Sequence, residues 1–138
     1  MLLSLRALEN VVNVNTFQHS TQLRFTEGDA PVLYFQLIDA STDLASQGFV
    51  PAGRRYVPAA GATLELTLNN IDDARRITRF ATQPFANDLS IWALTLTTAD
   101  KIRGTVNVKV KLTEGSTVRY GLAQALVLVD ALDGMTRL

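Results

Sequence analysis

The single imidazole of the chain, His19, is the natural candidate for acid–base catalysis. A histidine acts as a general base when one group orients its ring and a nucleophile lies within hydrogen-bonding reach. Ser20 follows His19 directly, but adjacency in sequence does not supply that geometry. The chain also contains no cysteine and no glycine-rich phosphate loop. His19 is therefore expected to be an exposed loop residue, and no catalytic constellation is predicted.

Carboxylates gather at two turns and offer oxygen ligands for a hard cation. Glu27 and Asp29 flank Gly28, and Asp72 is next to Asp73. A calcium loop needs a defined series of oxygen ligands, which neither spacing supplies, and turns favour Asp and Gly for conformational reasons alone. A carboxylate pair for glycoside hydrolysis needs two acids at a fixed separation, and nothing marks which two. The sequence therefore predicts no metal, no cofactor and no enzymatic activity.

The basic residues form two clusters, Arg54 with Arg55, and Arg75 with Arg76 and Arg79. Thirteen basic residues balance thirteen acidic ones, so the formal net charge is zero. Nucleic-acid binding needs a basic surplus, and we expect no nucleic-acid partner. Arginine is favoured at protein interfaces because its planar guanidinium pairs bidentately and stacks on aromatic rings. The clusters are therefore expected to lie on solvated strand faces or to form contacts between subunits, and a neutral protein is poorly protected against self-association.

The composition indicates one globular domain. The chain has 138 residues, of which 47% are hydrophobic and 19% charged, so it can bury a core and is too apolar for disorder. Without cysteine, disulfides are excluded. No apolar run approaches the roughly 20 residues of a bilayer-spanning helix. Arg6, Glu9 and Asn10 interrupt the apolar start, so we expect neither a signal peptide nor a membrane partner.

Segments in which apolar and polar residues alternate predict the strands that carry the candidate residues. Residues 105–112 and 63–68 alternate strictly between apolar and polar, as half-buried strands do. Residues 32–38 are nearly all apolar and predict a central strand covered on both faces. Ile77 and Phe80 are expected to face inward from a neighbouring strand. The residues predicted for the core are Leu33, Phe35, Leu37, Leu64, Leu66, Trp92, Leu94, Leu96, Val106, Val108 and Val110.

Turn signals separate these strands. Glu114-Gly115-Ser116 predicts a hairpin, and residues 98–104 predict a short helical turn. Gly121 predicts a bulge or a change to a strand covered on both sides. Seven or eight strands at this spacing predict an all-β fold, an antiparallel β-sandwich of Ig-like or jelly-roll-like type, with a barrel as second choice.

The predicted sandwich spans residues 23–130, preceded by an N-terminal arm or edge strand at 1–22 and followed by a tail at 131–138. The N-terminal segment pairs either within its own sheet or with a neighbour. The irregular stretch from 39 to 61 is long for a compact domain, and such loops are usually functional. It is either a flap over the sandwich edge or a docking loop. The candidates for subunit interfaces are Val11, Val12, Val14, Phe17, Phe49, Arg54, Arg55, Tyr56, Arg75 and Arg76.

The order of the elements resembles a known family. Phe25-Thr26-Glu27-Gly28-Asp29 leads into residues 32–37, Gly61-Ala62-Thr63 opens the alternating strand, and the segments 92–97 and 104–110 follow. This order is similar to the N-terminal domain of baseplate upper proteins of tailed phages and related small virion proteins, over about residues 23–130. The chain departs from that pattern by an insertion at 40–58 and by lacking the C-terminal extension that builds a stalk. The resemblance therefore implies a decoration, adaptor or fibre-anchoring subunit.

The resemblance implies no catalytic residues. We expect a non-enzymatic structural subunit of a tailed phage virion, assembled in the host cytoplasm, whose partners are other virion proteins and further copies of itself. The tail, the baseplate or a fibre-anchoring adaptor is the first expectation, and capsid decoration is the alternative. A further alternative is a carbohydrate-binding or adhesion module, which needs exposed rings such as Tyr34, Tyr56 or Tyr120. Glycan binding is not favoured, because Trp92 lies in the middle of an alternating strand.

Overall fold

The computed structural model describes residues 2–13, 16–20, 22–40, 54–70, 75–100, 102–123 and 126–130, and this part of the chain contains strands and turns but no helix. Its strands are β1 (Leu3–Asn13), β2 (Thr16–Ser20), β3 (Gln22–Thr26), β4 (Val32–Asp39), β5 (Arg54–Arg55), β6 (Thr63–Asn70), β7 (Arg76–Ala81), β8 (Ile91–Thr95), β9 (Gly104–Glu114), β10 (Thr117–Ala123) and β11 (Leu126–Asp130).

The strands form two mainly antiparallel sheets. In the first sheet, β4 lies between β1 on one side and the short strands β8 and β5 on the other, and β1 also pairs with β2. In the second sheet, β6 lies between β7 and β9, and β10 and β11 share the other side of β9. The parallel pair of β1 and β10 links the sheets, and β3 runs parallel to β11. The predicted all-β sandwich is confirmed, in preference to a single closed sheet.

The described strands are more numerous than predicted because several predicted strands are divided. The N-terminal segment forms β1 and β2, and the run from 117 to 130 forms β10 and β11. β5 adds a two-residue strand that no periodicity signals, since alternation needs a longer segment to be visible.

The core lies between the two sheets. All eleven residues predicted for it are buried, none more than 6% exposed. Alternation explains this on β6 and β9, where Leu66 pairs with Val110 and Leu68 with Val108 on the inward face. β4 differs, because Gln36 and Ile38 on its other face are buried as well as Phe35 and Leu37. Its nearly continuous apolar run indicates this covering of both faces.

The N-terminal segment is an intrinsic strand over much of its length. Leu3, Leu5 and Ala7 are buried in the core, and β1 runs beside β4 from Leu3 to Leu8. The boundary predicted at residue 23 is therefore wrong, and the sandwich begins at Leu3. An arm that orders only on a neighbour is also wrong for this stretch, because its apolar residues already complete the core. The predicted tail at 131–138 lies outside the described residues.

Two glycines make close chain geometry possible. The hairpin between β9 and β10 has the two-residue loop Gly115-Ser116, with φ of 58° at Gly115. A glycine with positive φ at the first loop position is typical of a type II′ turn. Gly121 lies where β10 meets β1, and a Cβ added there would collide with the carbonyl oxygen of Leu3. Gly121 therefore permits the link between the sheets.

Two local predictions are wrong. Residues 98–99 form a turn and not a helix, because the Asp100 carboxylate accepts a 2.7 Å hydrogen bond from the Thr97 amide and closes the chain tightly. Phe80 faces solvent, because it pairs with Glu65 on the polar face of β6, whereas Ile77 pairs with Leu68 on the apolar face.

Candidate interaction surfaces

The first candidate is the surface formed by Arg54, Arg55, Tyr56 and Val57, which we call the β5 surface. Both arginines and Val57 are exposed, and the four residues line a cleft of about 480 Å³. Within the described part of the chain β5 pairs only with β4, through Ile38 and Asp39, so it is an edge strand there. Three of the predicted interface residues, the two arginines and Tyr56, therefore lie side by side.

Tyr56 anchors this surface to the sandwich. Its amide donates a 2.8 Å hydrogen bond to the carbonyl of Leu37, and its ring packs against the core. Its hydroxyl lies 2.8 Å from each carboxylate oxygen of Glu114 and donates to that group. Glu114 ends β9, and it also accepts a 2.9 Å hydrogen bond from the amide of Ala59. One carboxylate thus holds the segment that follows β5 against the β9–β10 hairpin.

The environment sets the protonation of this pair. Burial raises the pKa of the Tyr56 phenol, and the adjacent Glu114 carboxylate raises that pKa further. Burial opposes ionisation of Glu114, but the hydrogen bonds from Ala59 and Tyr56 and the charge of Arg119 outweigh it and lower the pKa of Glu114. At neutral pH the phenol is therefore the donor and the carboxylate the charged acceptor.

Arg55 rests on a buried carboxylate. Its Nη1 lies 3.3 Å from Oδ2 of Asp88, and the side chains are 63% and 4% exposed respectively. Asp88 also accepts hydrogen bonds of 3.1 Å and 2.6 Å from the amide and hydroxyl of Ser90. The hydrogen-bonding capacity of Asp88 is therefore satisfied largely by its own turn, and Arg55 keeps most of its side chain in solvent.

The second predicted arginine cluster is divided in the structure. Arg79 pairs with the buried carboxylate of Asp100. Arg75 and Arg76 are exposed at the start of β7, in the second sheet, whereas β5 belongs to the first. The geometry thus gives Arg79 a structural role, and an interface role stays a prediction for Arg75 and Arg76.

The remaining predicted interface residues lie elsewhere. Val11 is partly buried and lines a cleft of about 350 Å³ between β1, β3 and β4. Val12 lies on β1 and Phe17 on β2, but their side chains are not among those described, and Val14 and Phe49 lie outside the described residues. Their interface role stays a prediction.

The residues considered for chemistry are dispersed. His19 lies on β2 opposite Leu8, so the predicted loop position is wrong, because residues 16–20 pair with β1. Glu27 is buried and bound by Arg103 at 3.1 Å. Among the described residues no group of three or more His, Asp or Glu side chains is placed to hold a metal ion. Asp72 and Asp73 lie outside that part of the chain. The described residues include no helix that is long and apolar enough to cross a membrane.

A second surface was missed by the sequence interpretation. On the outward face of the second sheet, one side chain from each of four adjacent strands forms a line, which we call the outer row: Phe80, Glu65, Lys111 and Tyr120. Phe80 is 65% exposed and Tyr120 71%. Alternation on β6 and β9 already places Glu65 and Lys111 outward, but the positions of the two rings depend on the register with β7 and β10.

No family model, no curated protein and no solved structure matches this chain.

Proposed function

We propose that this chain is a non-enzymatic structural subunit of a tailed bacteriophage particle and works by assembly with neighbouring proteins. The observation that carries the proposal is the β5 surface, an edge strand with exposed arginines on a braced support. An edge strand offers backbone donors and acceptors to a strand from a partner, and arginine is a frequent anchor of such interfaces. The tie between Tyr56 and Glu114 fixes this edge before the partner arrives, which lowers the entropy cost of docking.

The assembly route differs from the one that the sequence favours. Leu3–Leu8 already belong to the sandwich, so the N-terminal segment is not free over this stretch to add to a neighbour's sheet. The docking function therefore falls on the second of the two predicted regions, the part of the 40–60 loop that contains Arg54 and Arg55. Both arginines are exposed, so an acidic partner surface can reach them.

The proposed place of the subunit is the tail or baseplate, or an adaptor that anchors a fibre, with capsid decoration as the alternative. The resemblance of residues 23–130 to baseplate upper proteins supports the first location. The two locations differ in symmetry, because a tail subunit sits on a closed ring and a decoration protein covers a lattice in many copies.

A carbohydrate-binding module is the second candidate, and one observation favours it. Phe80 and Tyr120 present exposed rings on one sheet face, and Tyr120 borders a shallow cleft of about 290 Å³ beside Lys109. Tyr56, which the sequence offers for the same role, is instead occupied by Glu114.

The decisive experiment is quantitative mass spectrometry of purified particles from the source of the chain, with the major capsid protein as the standard. A copy number that is a small multiple of the tail symmetry supports the tail or baseplate. A copy number near that of the capsid protein supports decoration. Absence from the particles overturns the proposal and leaves the carbohydrate-binding module in its place.

The docking surface is tested by Arg54→Glu, with Thr98→Glu as a control that adds a negative charge at an exposed turn outside the β5 surface. We expect the first variant to fold normally and to be incorporated at least about tenfold less than the wild type, since reversing an interface charge weakens association steeply. Equal incorporation of both variants would exclude β5 as the docking strand.

A further inference from the structure

The outer row is continuous across the second sheet. Phe80 on β7 is paired with Glu65 on β6, Glu65 with Lys111 on β9, and Lys111 with Tyr120 on β10. Three strand spacings of about 4.8 Å separate the two rings by roughly 14 Å. Glu65 and Lys111 are half-buried, and within the described part of the chain no ion pair joins them to each other or to another residue.

The order of the row is aromatic, acid, base, aromatic, and this order is complementary to itself. A two-fold axis that runs along the strands between β6 and β9 exchanges the two halves of the row. Phe80 then lies against Tyr120 of the second copy, and Glu65 lies against Lys111 of the second copy. Each such dimer contains the aromatic contact twice and the charge contact twice, as an isologous interface must.

The same two-fold axis also brings together compatible residues at the neighbouring outward positions of β6 and β9. Asn69 is level with Asn107 on β9, so the axis places each amide against the other amide of the second copy. Thr67 is level with Lys109, and Thr63 with Thr113, and these pairs also meet without like charges.

A two-fold axis across the strands would instead place Lys111 on Lys111 and Glu65 on Glu65, which costs free energy. The charges therefore select one arrangement of two copies.

We propose that the outward face of the β7-β6-β9-β10 sheet is the interface of a homodimer of this chain, formed by the two-fold axis described above. Two sheets that pack face to face lie about 10 Å apart with nearly aligned strands, a distance that Phe, Tyr and Lys side chains span. The two exposed rings add aromatic area to such a contact, and aromatic residues are enriched at protein interfaces. The dimer deepens the proposed function and rests on it for its place in the particle, but the interface itself rests on the register and charges of this face.

The test is sedimentation velocity of the full chain over a concentration series. The wild type should dimerise. Glu65→Lys makes the row basic and Lys111→Glu makes it acidic, so each variant alone faces like charges across the axis. We expect the dissociation constant of each variant to rise at least about tenfold. Leu89→Ala, which removes exposed apolar surface outside the outer row, should dimerise like the wild type.

A mixture of the two charge variants separates contacts between copies from contacts within one chain. In the mixed dimer each basic position faces an acidic one, so a one-to-one heterodimer should form although neither variant dimerises alone. Failure of the mixture to associate would overturn the proposed axis. So would a wild type that stays monomeric up to about 1 mM.

Glycan binding that requires Tyr120 in a chain that remains monomeric would assign the face to carbohydrate and overturn the dimer. The outcome is separable from that of the proposed function. A dimer with the expected variant behaviour, in a protein absent from particles, would preserve the interface and refute the phage role. A monomer present in particles would refute only the interface.

Discussion

Three carboxylates among the described side chains are almost fully buried, and each pairs with an arginine that is about half exposed. Asp88, Asp100 and Glu27 each have side chains at most 5% exposed, and Arg55, Arg79 and Arg103 are their respective partners. Desolvation offsets much of the Coulomb attraction in such pairs, so their net contribution to stability is small. These pairs fix the position of the turns that carry the carboxylates. A turn that moved away from its arginine would leave a buried charge without a partner, which costs free energy.

Glu114 provides the sharpest prediction at this scale. Its folded-state pKa is lowered, so its stabilisation is present above the unfolded pKa and is lost as the pH falls through the folded pKa. Glu114→Gln should cost about 1–3 kcal/mol at pH 7, since the donors of Tyr56 and Ala59 lose a charged acceptor. The difference from the wild type should shrink as the pH falls below the unfolded value of about 4.3, and it should vanish only when the folded carboxyl is protonated as well. Urea denaturation of both proteins from pH 3 to 7 measures this.

Tyr56→Phe is the matched variant for that experiment. It removes the phenol that donates to Glu114 but keeps the ring against the core, so it isolates one hydrogen bond of the carboxylate. It should lose part of the stability that Glu114→Gln loses. A difference between Glu114→Gln and wild type that does not narrow toward low pH would contradict the assigned role of the ionised carboxylate.

At the scale of elements, the contact between β1 and β10 joins the two sheets, and Gly121 makes it possible. Gly121→Ala places a methyl group against the backbone carbonyl of Leu3, which cannot move without disturbing the pairing of β1 with β4. We expect a loss of about 1–3 kcal/mol in the free energy of unfolding, the usual cost of overpacking. Thermal denaturation measures it, with Gly61→Ala for comparison. Gly61 has positive φ but open space around it, so that variant reports backbone strain without a collision.

The N-terminal strand provides the second prediction at this scale. Deleting residues 1–20 removes Leu3, Leu5, Ala7 and Leu8 from the interior. Each buried leucine contributes about 2–5 kcal/mol, and the sum reaches the whole net stability of about 5–15 kcal/mol of an ordinary domain. The truncated chain should lose cooperative unfolding in circular dichroism. A truncated protein with a sharp thermal transition would show that the sandwich starts at residue 23 after all.

Alternation within a strand is a local property, so the sequence alone predicts from it which side chains face the core. It placed Leu64, Leu66 and Val106–Val110 correctly, because one face of β6 and β9 meets the core and the other does not. It failed for Phe80, whose orientation depends on its register with β6. The anchor between Tyr56 and Glu114 joins residues 58 positions apart, and no local pattern announces such a contact. The exposed arginines were found by composition, but their buried partners were not.

At the scale of the whole molecule, the two proposed surfaces lie on different sheets and are expected to act separately. A two-fold dimer through the outer row carries two β5 surfaces, so a particle that offers two matching sites would bind it with an avidity that a monomer lacks. Lys111→Glu should therefore give a monomer with an intact β5 surface and reduced incorporation. Arg54→Glu should give a normal dimer that is incorporated poorly.

These two phenotypes are measured on the same preparations, by sedimentation velocity for the dimer and by mass spectrometry for copies per particle. Mixing Lys111→Glu with Glu65→Lys should restore both the dimer and its incorporation, because the heterodimer again carries two β5 surfaces. Recovery of the dimer without recovery of incorporation would mean that avidity plays no part in assembly. Loss of dimerisation in Arg54→Glu would show that the β5 surface and the outer row do not act separately, because a charge on β5 would then weaken a dimer that forms through the other sheet.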